Sequence, residues 1–258
     1  KLKKSNLIVS DNQILPCKCF ENTILMGSFL WPFSVPVIRA EINQILLSEV
    51  KWLKINKPTL LGVNDMLQDD LNNYVKVVGL PWFEKNRRKN EMKGRKVVYF
   101  TAGATGIHRK ELIELIHDLK QINPTLEVAV DPHIYNEINE NLGVSMFDFR
   151  EKSFTKLKAV VCRPGMGILN DAVKYGIPVF AVHDWSNDEI KYNASRVVDH
   201  GIGLELGFTR GTAKKINSHL NNEPWLSKIK NAFINLTGNG QRMAAEYIID
   251  KVYENSKV

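Results

Sequence analysis

From residue 97 onward, short Val-rich apolar runs alternate with amphipathic stretches that end on glycine, and few folds accommodate that pattern. The runs cover 97–100, 126–130, 144–147, 159–162, 178–182 and 202–206. They do not alternate polar with apolar, as a strand with one wet face would. Strands buried on both faces, in a parallel sheet, read this way. Between them the spacing predicts helices. Over 111–122, Leu112, Leu115, Ile116 and Leu119 recur at three- and four-residue intervals. Further helices are expected over 133–141, from Gly165 onward and over 188–200, stopped by Gly143, Gly176 and Gly201. This repetition predicts a doubly wound α/β domain. Three more helices, near 213–220, 224–236 and 241–254, have no strand between them and are expected to wrap its edge.

The first third carries a shorter α/β pattern, with strands near 7–9, 23–26, 59–63 and 75–78 and a helix over 41–53. That is short of the ~100 residues or more that a doubly wound domain usually takes. The expected division is 1–92, a partial N-terminal α/β domain with a basic linker, and 93–258, a Rossmann-like domain. Charge marks the same joint. Residues 1–96 hold 16 Lys and Arg against 9 Asp and Glu, while residues 97–258 hold 19 against 19. Much of the excess lies in residues 85–96, where Lys85, Arg87, Arg88, Lys89, Lys93, Arg95 and Lys96 face a single acid, Glu91. A solvated linker accounts for such a run. So does peripheral contact with an anionic membrane surface, with Trp82 and Phe83 dipping into the interface. Nucleic acid is not expected, because the remainder is neutral and neither a recognition helix nor an aromatic-interleaved basic sheet is present.

Three cysteines, Cys17, Cys19 and Cys162, are too few for a disulfide framework, and no His/Cys spacing resembles a zinc site. Reduced thiols and a cytoplasmic location are expected. No apolar run is long enough to cross a bilayer.

Three constellations could carry chemistry. In the first, a strand at 97–100 runs into Thr101-Ala-Gly-Ala-Thr-Gly-Ile-His108 and then a helix. Gly103, Thr105 and Gly106 would let backbone approach a phosphate at a helix N-terminus. The spacing is neither the dinucleotide fingerprint nor the P-loop, and a tight turn without a ligand fits equally. In the second, Cys162 ends a strand, Arg163 follows, and Gly165-Met166-Gly167 opens a helix. Ligands bind at the carboxyl ends of strands in open α/β sheets. Arg163 with the turn at Gly165, Met166 and Gly167 suits a diphosphate. Asp171 lies four residues after Gly167, on the same helix face and about 6 Å along the axis, where a carboxylate could take the hydroxyls of an attached ribose. In the third, Asp188 and Glu189 occupy the first turn of the next helix, either as acids favoured by its dipole or as ligands for sugar hydroxyls. Asn193 is expected to bond from that helix to a loop.

The second and third constellations, R-x-G-x5-D-x4-G-I-P, then D-E-x3-N-A, then G-x-G, resemble the nucleotide-sugar motif of GT-B glycosyltransferases. The lipid-II-forming N-acetylglucosaminyltransferases and the UDP-glycosyltransferases are the branches in question. The resemblance covers about 97–258. It implies a sugar transferred from a nucleoside-diphosphate donor, a UDP-sugar foremost, to an unidentified acceptor hydroxyl, with inversion and without metal or other cofactor. Residue by residue, it implies that Asp171 holds the ribose. Gly165 and Gly167 hold the diphosphate, and Asp188 and Glu189 contact the donor sugar. Phe147 or Phe149 lies near the loop that packs on the base. The sequence departs from the family at Arg163, where UDP-glycosyltransferases have His, at Asp171, shorter than the usual Glu, and at Glu189, which replaces Gln. A non-catalytic nucleotide-sugar-binding subunit, and an epimerase or hydrolase on the same fold, are the rival readings.

The first third resembles the second half of a GT-B acceptor domain, which implies that roughly 80–100 residues precede Lys1. In some UDP-glycosyltransferases an Asp at such a strand end orients a catalytic His. Asp11 would be that residue here, or else an acid that caps a loop.

Overall fold

The computed structural model describes residues 7–34, 40–84, 94–138, 142–184 and 187–255. Residues 85–93, which carry most of the basic run, lie outside them, as do residues 139–141 of the helix expected over 133–141. The chain divides into two compact units. One comprises residues 1–84, 187–189 and 237–258, the other 85–186 and 190–236.

The first unit is built on four parallel strands, β1 (Ile8–Asp11), β2 (Thr23–Met26), β3 (Thr59–Val63) and β4 (Lys76–Leu80), paired in that order. The central strands β2 and β3 are buried on both faces, as their unbroken apolar runs require, while the edge strands β1 and β4 are partly exposed. Leu25 and Leu60 pack with Leu30, Leu53 and Leu71 on one side. Ile24, Leu61 and Leu80 pack on the other against Ala244, Tyr247 and Ile248 of the C-terminal helix α11 (Gly240–Asn255). The sequence reading grouped that helix with the second domain. Its apolar residues instead cover the first sheet. Three further helices belong here: α1 (Leu15–Cys19), α2 (Trp31–Ser34) and α3 (Ala40–Asn56). Trp82 is not available to an interface. It is 1% exposed and its indole donates to Asp65 at 2.8 Å, whereas Phe83 is 45% exposed.

The second unit holds six parallel strands, β5 (Val97–Thr101), β6 (Glu127–Val130), β7 (Val144–Met146), β8 (Leu157–Cys162), β9 (Val179–His183) and β10 (Gly203–Gly207). Their spatial order is β10-β9-β8-β5-β6-β7. The chain thus builds outward from β5 in one direction and from β8 in the other, which is the doubly wound arrangement with its switch point between β5 and β8. Val98, Phe100, Val161, Phe180 and Val182 face a core completed by α4 (Arg109–Ile122) and α9 (Thr212–Leu220). The remaining helices of this part of the chain are α5 (Pro132–Tyr135), α6 (Glu151–Phe154), α7 (Met166–Tyr175), α8 (Asp188–Asp199) and α10 (Glu223–Asn235). Helix α5 is shorter than expected. Asp131 caps its start, accepting from Ile134 N, and the chain turns after Tyr135.

Arg95, read from sequence as one of a solvated run, is half-buried and structural. Its guanidinium donates to the carbonyls of Tyr175 (2.8 Å), Gly176 (3.2 Å) and Leu157 (3.3 Å). It therefore ties the end of α7 to the start of β8, and burial pulls its pKa below the ordinary arginine value.

Candidate functional site

All six strands of the second sheet run parallel, so the loops after Thr101, Cys162, His183 and Gly207 emerge along one edge. The first two flank the switch point, where Thr101 pairs with Cys162. An open parallel sheet presents its crevice there.

The loop after β5 is pinned from below. Asp131, 3% exposed at the end of β6, accepts from Thr101 Oγ1 at 2.8 Å, from Ala102 N at 2.6 Å and from Ile134 N at 2.9 Å. Thr101 Oγ1 in turn accepts from Gly103 N at 3.0 Å. The Gly103 amide is therefore committed inside the loop rather than offered to a ligand. Gly103 and Gly106 adopt left-handed backbone, at φ 73° and 63°, which glycine reaches without steric cost. Above Gly103 the space is open, and Arg109 braces Gly106 by donating to its carbonyl at 3.3 Å. Thr105 is exposed at the loop's tip.

The loop after β8 is Arg163-Pro164-Gly165. Gly165 N donates to Arg163 O at 2.8 Å, so this amide too is engaged. Helix α7 then begins on Gly165 with no side-chain cap. Among the described residues, the amides of Met166, Gly167 and Ile168 donate to no acceptor, leaving the usual orphan donors of a first helical turn. A side chain at Gly165 or Gly167 would meet nothing within 4 Å, so the space on the Cβ side of both residues is open. The turn is held from behind as expected. Asn193, 1% exposed on α8, donates to Pro164 O at 2.9 Å.

Asp171 stands one turn further along α7. It is half-buried and has no hydrogen-bond partner among the described residues. Burial raises its pKa above the ordinary aspartate value, against the opposing pull of Lys174. A carboxylate that is desolvated and unbonded is a poor structural feature and a good acceptor for a ligand's hydroxyls.

Phe147 and Phe149 lie beyond β7 in a cluster of aromatic rings. Phe147 is 5% exposed, stacked on Tyr99 at 4.3 Å and edge-on to Phe154 at 4.9 Å. Phe149 is 54% exposed and held at φ 54°. Of the two, Phe149 alone is exposed, with its ring edge-on to Phe147 at 5.2 Å and to Tyr99 at 6.2 Å. Asp188 and Glu189 open α8. Asp11 ends β1, exposed, and accepts from Asn12 Nδ2 at 3.2 Å. No histidine occurs in residues 1–84, so no histidine of that stretch pairs with it.

Two histidines went unremarked in the sequence. His108, at φ 65°, precedes α4. Its Nε2 lies 3.4 Å from Asp184 Oδ2 and its ring 5.2 Å from that of Phe208. His183, 1% exposed at the end of β9, lies 2.9 Å from Glu205 Oε1. A histidine directly after a glycine-rich turn is a weak signal for the first. Nothing local marks the second.

No protein-family model matches the chain, and no curated protein does. Among solved structures, its fold is that of glycosyltransferases of the GT-B type. The glycotransferase of kitacinnamycin superposes with a TM-score of 0.60 at 12% identity, over 96% of this chain and 76% of that one. MurG of Acinetobacter baumannii gives 0.59 at 14%, over 96% and 74%. The glycosyltransferase VinC, solved in complex with DTDP, gives 0.58 at 16%, over 98% and 73%. The likeness at these identities is one of fold. No helix among the described residues is long and apolar enough to cross a membrane.

Proposed function

We propose that this protein is a glycosyltransferase that takes a sugar from a nucleoside diphosphate, uridine diphosphate foremost, and passes it to an acceptor hydroxyl with inversion. One observation carries the reading. At the switch point, the three unpartnered amides opening α7 are followed on the same helix by the desolvated, unbonded Asp171. Anion-binding amides one turn from a hydroxyl acceptor match a diphosphate joined to a ribose. The fold shared with glycosyltransferases supports it, and so does the nucleoside diphosphate bound by VinC.

In this reading the α7 amides and Arg163 stabilise the charge that gathers on the leaving diphosphate. Asp171 holds the ribose diol, and Asp188 and Glu189 take hydroxyls of the donor sugar. Phe149 offers its exposed ring to the base. A general base accepts the proton of the acceptor hydroxyl, with Asp11 the candidate for orienting it. The acceptor displaces the diphosphate directly, with no metal in the scheme.

Calorimetry with UDP, dTDP, GDP and ADP tests the reading. It expects micromolar binding of at least one of them, and release of that diphosphate from its sugar donors when acceptors are supplied. NMR of the product then reports the anomeric configuration. Absence of binding by all four would remove the proposal. A sugar returned epimerised or free in water, whatever acceptor is present, would move it to the epimerase or hydrolase reading.

A further inference from the structure

Resting on that reading, we infer that His108 is a positioning residue for the donor diphosphate, acting through a contact with Asp184 that holds the amino end of α4 at the crevice. Neighbouring strands lie about 4.8 Å apart, so β5 and β9, with β8 between them, are separated by about 10 Å. Loops after β5 and β9 do not meet by default. Here they do, because His108 reaches past the end of β8 to Asp184, and its ring also rests on Phe208 from the loop after β10. One side chain thus joins three loops along the carboxyl edge, beside the turn that carries Arg163 and Gly165.

The backbone gives independent support. Only four described non-glycine residues have positive φ: Asn12, Lys57, His108 and Phe149. Such conformations are strained for a residue with a side chain and persist where the surroundings impose them. His108 accepts that conformation at the residue preceding α4, with no side-chain cap on the helix. Its side chain is turned instead to Asp184 and to Glu111, whose Oε1 lies 3.5 Å from Nδ1. A residue serving α4 alone would cap it. This one ties α4 to the far side of the crevice. The loop that it anchors is already fixed at its other end by Asp131 and Thr101, so His108 supplies the second fixed point.

The contact bears on phosphate and not on nucleoside. Asp171 and the aromatic cluster after β7 do not touch His108. Releasing the loop should cost diphosphate affinity and leave nucleoside affinity in place, a split that general destabilisation would not produce.

The test compares UDP with uridine by calorimetry on the full chain, for the wild type, His108→Asn, Asp184→Ala and the double variant. Asparagine tolerates the left-handed backbone but is too short to reach Asp184. Each single variant is expected to weaken UDP about tenfold and to leave uridine within twofold. The double variant is expected to be no worse than either single, as for two members of one contact. The inference is overturned if UDP and uridine weaken together, if UDP is unaffected, or if the two single effects multiply. Wild-type protein that binds no nucleoside diphosphate would defeat the glycosyltransferase reading itself, which separates the two failures.

Discussion

The Thr101 hydroxyl donates to the buried carboxylate of Asp131 at 2.8 Å, and that bond leaves its oxygen free to accept the Gly103 amide at 3.0 Å. The glycine loop at the switch point is therefore shaped from beneath, by a carboxylate only 3% exposed. Thr101→Val keeps the shape of the side chain and removes both bonds. A buried carboxylate and a buried amide each lose a partner, so stability should fall by about 1–3 kcal/mol. UDP binding should weaken with it. Denaturant midpoints together with calorimetry check this, and unchanged values in both would show that the loop holds its shape without the hydroxyl.

Asp171 makes opposite predictions for binding and for stability. Asp171→Ala should weaken UDP by ten- to a hundredfold, since a buried ribose diol loses its acceptors. The free protein should gain from Asp171→Asn at neutral pH. Burial raises the folded-state pKa above that of the unfolded chain, so ionisation of Asp171 opposes folding. The contribution of wild-type Asp171 is intact below the unfolded-state pKa and is lost as pH rises through the folded one. The advantage of asparagine should thus be present at pH 7 and vanish towards pH 3. An advantage that grew on acidification would contradict the assignment.

Arg95 should behave as a core residue despite its place in a charge run. Arg95→Met retains the stem and abandons three carbonyls, for an expected loss of about 3 kcal/mol. Arg95→Lys should recover part of this, because a single ammonium cannot span all three. Thermal unfolding of the two variants provides the comparison, and a neutral Arg95→Met would rule the role out.

Metal is absent from the proposed scheme because the sequence contains no Asp-x-Asp pair to bridge a diphosphate through a cation. Turnover should persist in EDTA. A strict Mn²⁺ or Mg²⁺ requirement, measured by titration after chelation, would refute the scheme.

The basic residues around 85–89 are proposed to meet anionic lipid, at about 1 kcal/mol per residue close to the surface. The chain should sediment with phosphatidylserine-containing vesicles at low salt and be released at high salt. Neutralising Lys85, Arg87, Arg88 and Lys89 should abolish the effect. Wild-type protein that stays in the supernatant at low salt would mark the run as a solvated linker.

The long elements were legible because burial writes itself into composition. Val98, Val160, Val161 and Val179 sit in runs apolar on both faces, and α4 shows Leu112, Leu115 and Leu119 at helical spacing. Helices α1, α2 and α6 span one turn or little more, too short for a period to show. The destination of α11 was also hidden. Ala244, Tyr247 and Ile248 announce an apolar stripe, but a stripe does not say which sheet it will cover. At the site, the glycines, Asp171 and Asn193 were visible as motif. His108 was not, because its role depends on Asp184 and Phe208, which only folding brings near. Arg95 was concealed by its neighbours' charge.

Trp82 exchanges backbone hydrogen bonds with the segment that leads into α11. It donates to Thr237 O, and its carbonyl accepts from Asn239 and Gly240, while Phe83 O accepts from Gln241. Gly240 has no room for a side chain, since an added Cβ would stand 2.1 Å from Pro81 O. The chain thus leaves the first unit after Glu84 and rejoins it at Thr237, beside Trp82, and what lies between, apart from residues 187–189, is an insertion whose two ends meet. Closing so long a loop costs little more than closing a short one. The second unit is in this sense a cassette. It could be lengthened, exchanged, or removed and bridged by a short linker, while the strand stub at Trp82 and its partner at Gly238 stay where they are.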